Sequence, residues 1–219
     1  MDLRTHVALA RHLLSHVDDE TTGTRYTSGF LAALGDARAA SGRDEAGNVV
    51  DEAQTGHWLG AVGWMVLLDQ IGGCFRPAPA TGAPVATASG RAVVDALHWW
   101  YAELPDLEVL ALYALRCAFA HDYSLWNLSG DPTLQHCFVV DRDPVRFVQL
   151  PTRPWTPADP PRPDNQTLIS LRRLGDVSEV IVSRLRAAAA SDTLDIVLKG
   201  GVDELEHRYA ITFLYQTPQ

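Results

Sequence analysis

From Asp2 to Val17 the apolar residues Leu3, Val7, Ala10, Leu13, Leu14 and Val17 recur at intervals of three and four, which predicts an amphipathic helix. A second helix is expected over Tyr26 to Ala40, halted by Ser41 and Gly42 ahead of the polar loop RDEAGN. The third, from about Glu52 to Ile71, is apolar almost all round, which places it at the centre of a bundle, with Gly72-Gly73 as its stop. Arg76 to Gly90 carries the Pro, Gly, Ala and Ser load of an exposed connection. A fourth helix follows from about Gly90 to Glu103, with Val93, Val94, Leu97 and Trp100 on one side. Pro105-Asp106 then opens a fifth, running from about Leu107 to Tyr123 or a few residues beyond.

After Gly130 the period changes from helical to two. HCFVVDRDPVRFVQLP holds two apolar runs around Asp-Arg-Asp-Pro and reads as a β-hairpin. PTRPWTPADPPRPDN contains six of the thirteen prolines, so it is an extended connector, pinned by Trp155. A helix over about Leu168 to Ala190 precedes two strands, LDIVLK and YAITFLYQ. The expected fold is mainly α: a four- to five-helix bundle over residues 1–130, and a small C-terminal α+β addition over 131–219 made of a hairpin, a helix and one or two further strands, packed on the bundle. No internal repeat is present.

Charge narrows the partners. The net charge is −9, and it divides unevenly: residues 1–135 carry 16 acids against 8 arginines, and 136–219 carry 11 acids against 10 basic residues. That excess speaks against a broad nucleic-acid surface on the first part, and leaves the 8 arginines and 5 acids between Arg142 and Arg186 as the segment for RNA to follow. Cys74, Cys117 and Cys137 form no CxxC pair, which argues against a disulfide framework or a structural zinc site. The longest apolar segment, His57 to Gly73, is broken by Asp69 and too short to span a bilayer, and the N-terminus lacks a signal peptide's apolar core. The expected location is cytoplasmic, with no membrane contact.

Candidate chemistry is sparse. GxxxxGK[ST], GxGxxG, GxSxG and HExxH are absent, and the pairs IGGCF and LKGGV read as a helix stop and a turn. His12, His16 and Asp19 would lie near one helix face, where they would either hold a divalent metal or form a solvated polar face; the second is favoured, and neither metal nor cofactor is expected. The stretch LRCAFAHDYSLWN over residues 115–127 is different, because it places Arg116 and His121 on a helix that is otherwise apolar. On an ideal helix they stand about 140° apart and about 7.5 Å along the axis, whereas Arg116, Ala120, Tyr123 and Asn127 share one stripe if the helix continues.

RCAFAHDY, an Arg-x4-His-x-Tyr pattern, resembles the active-site motif of the HEPN superfamily, in the form seen in toxins of HEPN/MNT toxin–antitoxin pairs. The resemblance covers that motif and, more loosely, the first 130 residues. It implies a helical bundle that dimerises with the Arg116–His121 helices facing each other, and metal-independent cleavage of single-stranded RNA to a 2′,3′-cyclic phosphate. His121 would take the proton of the 2′-hydroxyl, and Arg116 would hold the scissile phosphate. Tyr123, with Asn127 beside it, would position phosphate or accept a regulatory modification, and an antitoxin protein would be a partner. Cys117 departs from the pattern, since a polar residue, often Asn, commonly follows the arginine. Two other readings stand beside this one: a non-catalytic module of the same type that binds a nucleotide, RNA or protein, and a structural role in which Arg116 pairs with Asp69 or Asp95 and His121 is a buried or bundle-linking histidine.

Overall fold

Two short polar side chains start the first helices. A computed structural model describes residues 2–19, 21–79, 88–141 and 146–214. In it the Asp2 carboxylate accepts a hydrogen bond from the Thr5 amide at 2.8 Å and opens α1 (Leu3–Leu13). Ser28 Oγ accepts from the Leu31 amide at 3.0 Å and opens α2 (Gly29–Ala40). Both helices are shorter than their apolar periodicity predicts, because the residues between them form an antiparallel pair, β1 (Val17–Asp19) and β2 (Thr24–Ser28). The turn is closed by Asp19, whose carboxylate accepts from the Thr21 and Thr22 amides. Val17 is thus the first residue of a strand and not the last of a helix.

A single 3₁₀ turn over Glu52–Gln54 precedes α3 (Trp58–Cys74), which packs against α2 on one side. Gly72 and Gly73 lie inside this helix and do not stop it. A Cβ at Gly72 would fall 1.9 Å from the Ala92 carbonyl oxygen at the start of α4 (Ala92–Trp100), so the missing side chain is what lets the two backbones approach. The chain leaves α3 directly into β3 (Phe75–Pro77). The connection expected over Arg76–Gly90 falls in part on residues 80–87, outside the described residues. α5 (Asp106–Asp122) begins after Pro105 and ends at Tyr123, whose φ of 48° is left-handed. The Tyr123 amide donates to Phe119 O, the bond of an αL cap, and the Ser124 amide donates to Ala118 O.

The second half departs further from expectation. β4 (Trp126–Asn127), β5 (His136–Val140), β6 (Val148–Gln149) and β7 (Thr167–Ile169) form one sheet in the order β4-β5-β7-β6. The expected hairpin does not form among the described residues: β7 lies between β5 and β6, parallel to the first and antiparallel to the second, and the turn residues 142–145 lie outside those described. The proline-rich connector carries the chain from β6 back to insert β7, and buried Trp155 pins it by donating from Nε1 to Asp159 O at 3.1 Å. Ser170 caps α6 (Leu171–Ala190). β8 (Leu194–Ile196), α7 (Gly201–Tyr209) and β9 (Ala210–Leu214) complete the chain as described, and α7 starts where a turn is expected.

The fold is therefore mixed α/β and not a mainly α bundle with an appended piece. The described residues form seven α-helices and three sheets, and two of the sheets join the two ends of the chain: β9 pairs with β2, and β8 with β3, both antiparallel. α3 is enclosed by α2, α4, α5 and α6, and one hydrophobic cluster runs from Leu13 and Phe30 through Trp64 and Leu115 to Phe138 and Ile181. Two arginines lock α2 and its following loop to α6: Arg38 grips Glu179 with two bonds of 2.7 Å, and Arg43 reaches Asp176 at 2.6 Å.

Candidate functional site

α5 ends in the motif that draws attention in the sequence, but its residues do not converge. Arg116 turns toward α3 and is held by Asp69, with Nε and Nη2 each 2.6 Å from Oδ2. Burial pushes the Asp69 carboxyl up from its ordinary range, and Arg116 works in the opposite direction. The guanidinium is likewise disfavoured by burial, but the bond and charge of Asp69 more than offset this and hold it protonated. The structural pairing is thus the one observed. Asp95 has a different partner: its carboxylate caps the Ser89 amide at 2.8 Å.

His121 lies in the last turn of α5 and is exposed, so it is neither sealed in the core nor a link between helices. Asn127 does not extend the stripe, because the helix stops at Asp122. It sits on β4, and its side-chain amide donates to Leu134 O at 2.7 Å. Of the arginines expected to guide RNA, Arg153 meets Asp159 and Asp164, Arg172 meets Glu52, Arg173 meets Asp176 and Arg184 meets Glu103, so much of that segment is neutralised.

Tyr123, at the end of the motif, opens onto a cavity. Its ring lies 5.1 Å from that of Trp58, which stacks on Phe119 at 5.0 Å and 21°. Tyr123 and Trp58 border a cavity of about 830 Å³, lined also by His57, Arg172, Glu52 and Asp141. Two helices begin there. α3 starts at Trp58 with no side chain capping it, so its N-terminal partial positive charge is left to solvent or ligand. α6 starts with Arg172 and Arg173, placed against its own dipole and offset by Glu52 and Asp176. Holding Tyr123 at positive φ costs about 1 kcal/mol, and the cap bonds together with the Trp58 contact fix its ring at the cavity edge.

The sequence gives a weak signal for this site. GHW opens the chain's most apolar helix without a Ser, Thr, Asp or Asn cap, and Arg-Arg opens another. Neither suggests that the two starts meet.

The trio His12, His16 and Asp19 does not share a helix face. α1 ends at Leu13, His16 lies beyond it with Nδ1 2.5 Å from Thr27 Oγ1, and Asp19 is occupied by backbone amides. Among the described residues no group of three or more His, Cys, Asp or Glu gathers in a way that could hold a metal ion, and no helix is long and apolar enough to cross a membrane. Cys74, Cys117 and Cys137 are free thiols. No known protein family, curated protein or solved structure matches the chain.

Proposed function

We propose that this is a ligand-binding module whose ligand is a mononucleotide, held where α3 and α6 begin. The observation that carries the reading is the cavity of about 830 Å³, because its size suits such a molecule and its wall offers a suitable chemistry for each part. Tyr123 and Trp58 present rings on which a base stacks. The uncapped start of α3 and the Arg172 guanidinium suit a phosphate, which would replace Glu52 as the partner of Arg172. Asp141 is placed in the same wall to accept from ribose hydroxyls. Free thiols suit a reducing compartment, so this reading places the protein in the cytoplasm.

Calorimetric titration with AMP, UMP, adenosine and ribose 5-phosphate tests the assignment. A nucleoside monophosphate is expected to bind about tenfold more tightly than the nucleoside, with Arg172→Ala removing most of that difference and Tyr123→Ala weakening both by about fivefold. Absence of binding, or binding indifferent to both substitutions, refutes it.

A metal-independent ribonuclease is the second reading, favoured by the accessibility of His121. It requires a homodimer with facing α5 helices and an Arg116 freed from Asp69, and an antitoxin protein would be its natural partner. Cleavage of single-stranded RNA in the presence of a chelator, lost in His121→Ala, supports it. Wild-type rates in that variant discard it.

A further inference from the structure

The sheet that joins β2 to the C-terminal strand has unequal edges. β1 closes it on one side with three residues, of which Asp18 is exposed and bonded to Arg25 at 2.6 Å, and Asp19 closes the turn. Charge on so short a strand keeps another chain from adding to it. β9 closes the sheet on the other side, and no described strand pairs with its outer edge. It is five residues long, Ala-Ile-Thr-Phe-Leu, with no charged residue, proline or glycine. The remaining edge strands, β3, β4, β6 and β8, are only two or three residues long. β9 alone among these edges therefore lacks every device that blunts an open strand.

The outer edge can be counted in hydrogen bonds. Alternate residues of an antiparallel strand turn their N–H and C=O groups toward opposite neighbours. The register with β2 runs from Ser28↔Ala210 to Thr24↔Leu214, so the outward groups belong either to Ile211 and Phe213 or to Ala210, Thr212 and Leu214. In the second case the Ala210 amide is already given to Glu206 O, the last bond of α7. Either way, an antiparallel strand centred on Thr212 gains about four backbone hydrogen bonds.

The sequence of β9 matches itself. Turned about a two-fold axis at Thr212, it sets Thr212 opposite the second copy's Thr212, Ile211 opposite Phe213 and Ala210 opposite Leu214. This combines a threonine pair with β-branched and aromatic pairs, both favourable across strands. Thr212 is exposed and stands across from the half-exposed Tyr26 of β2, so the two central threonines meet on an accessible face.

We infer that β9 is a self-association edge: two copies of the chain pair antiparallel through Ala210–Leu214 into one six-stranded sheet, with the acidic β1 of each copy at its outer ends. An isologous contact of this kind stops at two copies. The two-fold match of the strand to itself favours a second copy over a foreign strand. The contact is separate from the mononucleotide cavity and from the α5 contact that the ribonuclease reading requires, so each assignment stands or falls alone.

Sedimentation equilibrium on the full chain, from about 5 to about 200 µM, tests the inference. A dimer with a dissociation constant on the order of 10 µM is expected, as suits a contact made by one strand. Thr212→Lys places two ammonium groups at facing positions and should weaken the dimer at least about tenfold, as should Thr212→Glu. Thr212 is exposed, so both variants keep the fold, which thermal melts verify. An equimolar mixture of the two should recover the dimer, because unlike charges then face each other. A monomer throughout the range overturns the inference. So does a dimer indifferent to Thr212→Lys, a mixture that associates no better than either variant alone, or growth beyond two copies.

Discussion

Burial of the His12 imidazole pushes its pKa down from 6.5 to about 4. The unfolded chain thus takes up a proton near pH 6.5 that the folded chain accepts only near pH 4, so this contribution to stability is whole above pH 6.5 and is lost as pH falls between those values. The full loss amounts to about 3 kcal/mol. His136, bonded to Thr167 Oγ1 at 2.8 Å, is also pushed down by burial and adds in the same direction. Urea unfolding followed from pH 7 to pH 4.5 should show stability falling with acid, and His12→Phe should flatten most of the slope; an unchanged slope would assign it elsewhere. Asp69 bears on the ribonuclease reading in the same way. Asp69→Asn should weaken the grip on Arg116 at a cost of about 1 kcal/mol, and if Arg116 serves a phosphodiester, RNA affinity should rise in that variant. Falling affinity would mark the pair as scaffold only. At this scale the sequence offers Asp69 and Asp95 equally as partners for Arg116 and treats His12 as a surface metal ligand or solvated residue, because its burial depends on Phe30, Phe75 and Tyr209 from three other elements.

Helix existence was largely legible, and helix ends less so. α5 stops at the nearer of its expected ends and does not run on past Tyr123, which takes the left-handed cap that terminates the ladder. α1 and α2 both lose residues to β1 and β2, because Thr24-Arg-Tyr-Thr can follow a helical period and yet gain more from pairing with β9. The glycine pair of α3 was the sharpest misreading. A helix stop and a close helix contact use the same residue type, and only the position of Ala92 distinguishes them. Gly72→Ala should therefore destabilise the protein by about 3 kcal/mol, while Gly73→Ala, whose Cβ meets Ala92 Cβ at an ordinary 3.8 Å, should leave stability near wild type. Chemical denaturation of both variants reads the contrast. Equal effects would mean that the approach of α3 to α4 is not tight.

Across the whole molecule, the sheets join residues that are far apart in sequence. A chain ending at residue 130 loses β9 and β8 as partners for β2 and β3, and with α6 it loses the carboxylates that hold Arg38 and Arg43. That fragment should show no cooperative thermal transition and poor dispersion in ¹H–¹⁵N spectra; a cooperatively unfolding fragment would show that the helices of the first part are self-sufficient. The sequence by itself determined what local chemistry decides: the amphipathic and all-apolar helices, the Trp155-pinned connector and the acidic balance of the chain. Tertiary structure alone decided which strands are neighbours, why Gly72 is bare, that Arg116 pairs with Asp69 and not Asp95 while His121 is exposed, that the left-handed Tyr123 ends α5, and that the starts of α3 and α6 share a cavity. The division has one physical cause. Periodicity and caps are set by interactions within a few residues, whereas strand pairing, close approach and cavities depend on which distant surfaces meet when the core closes.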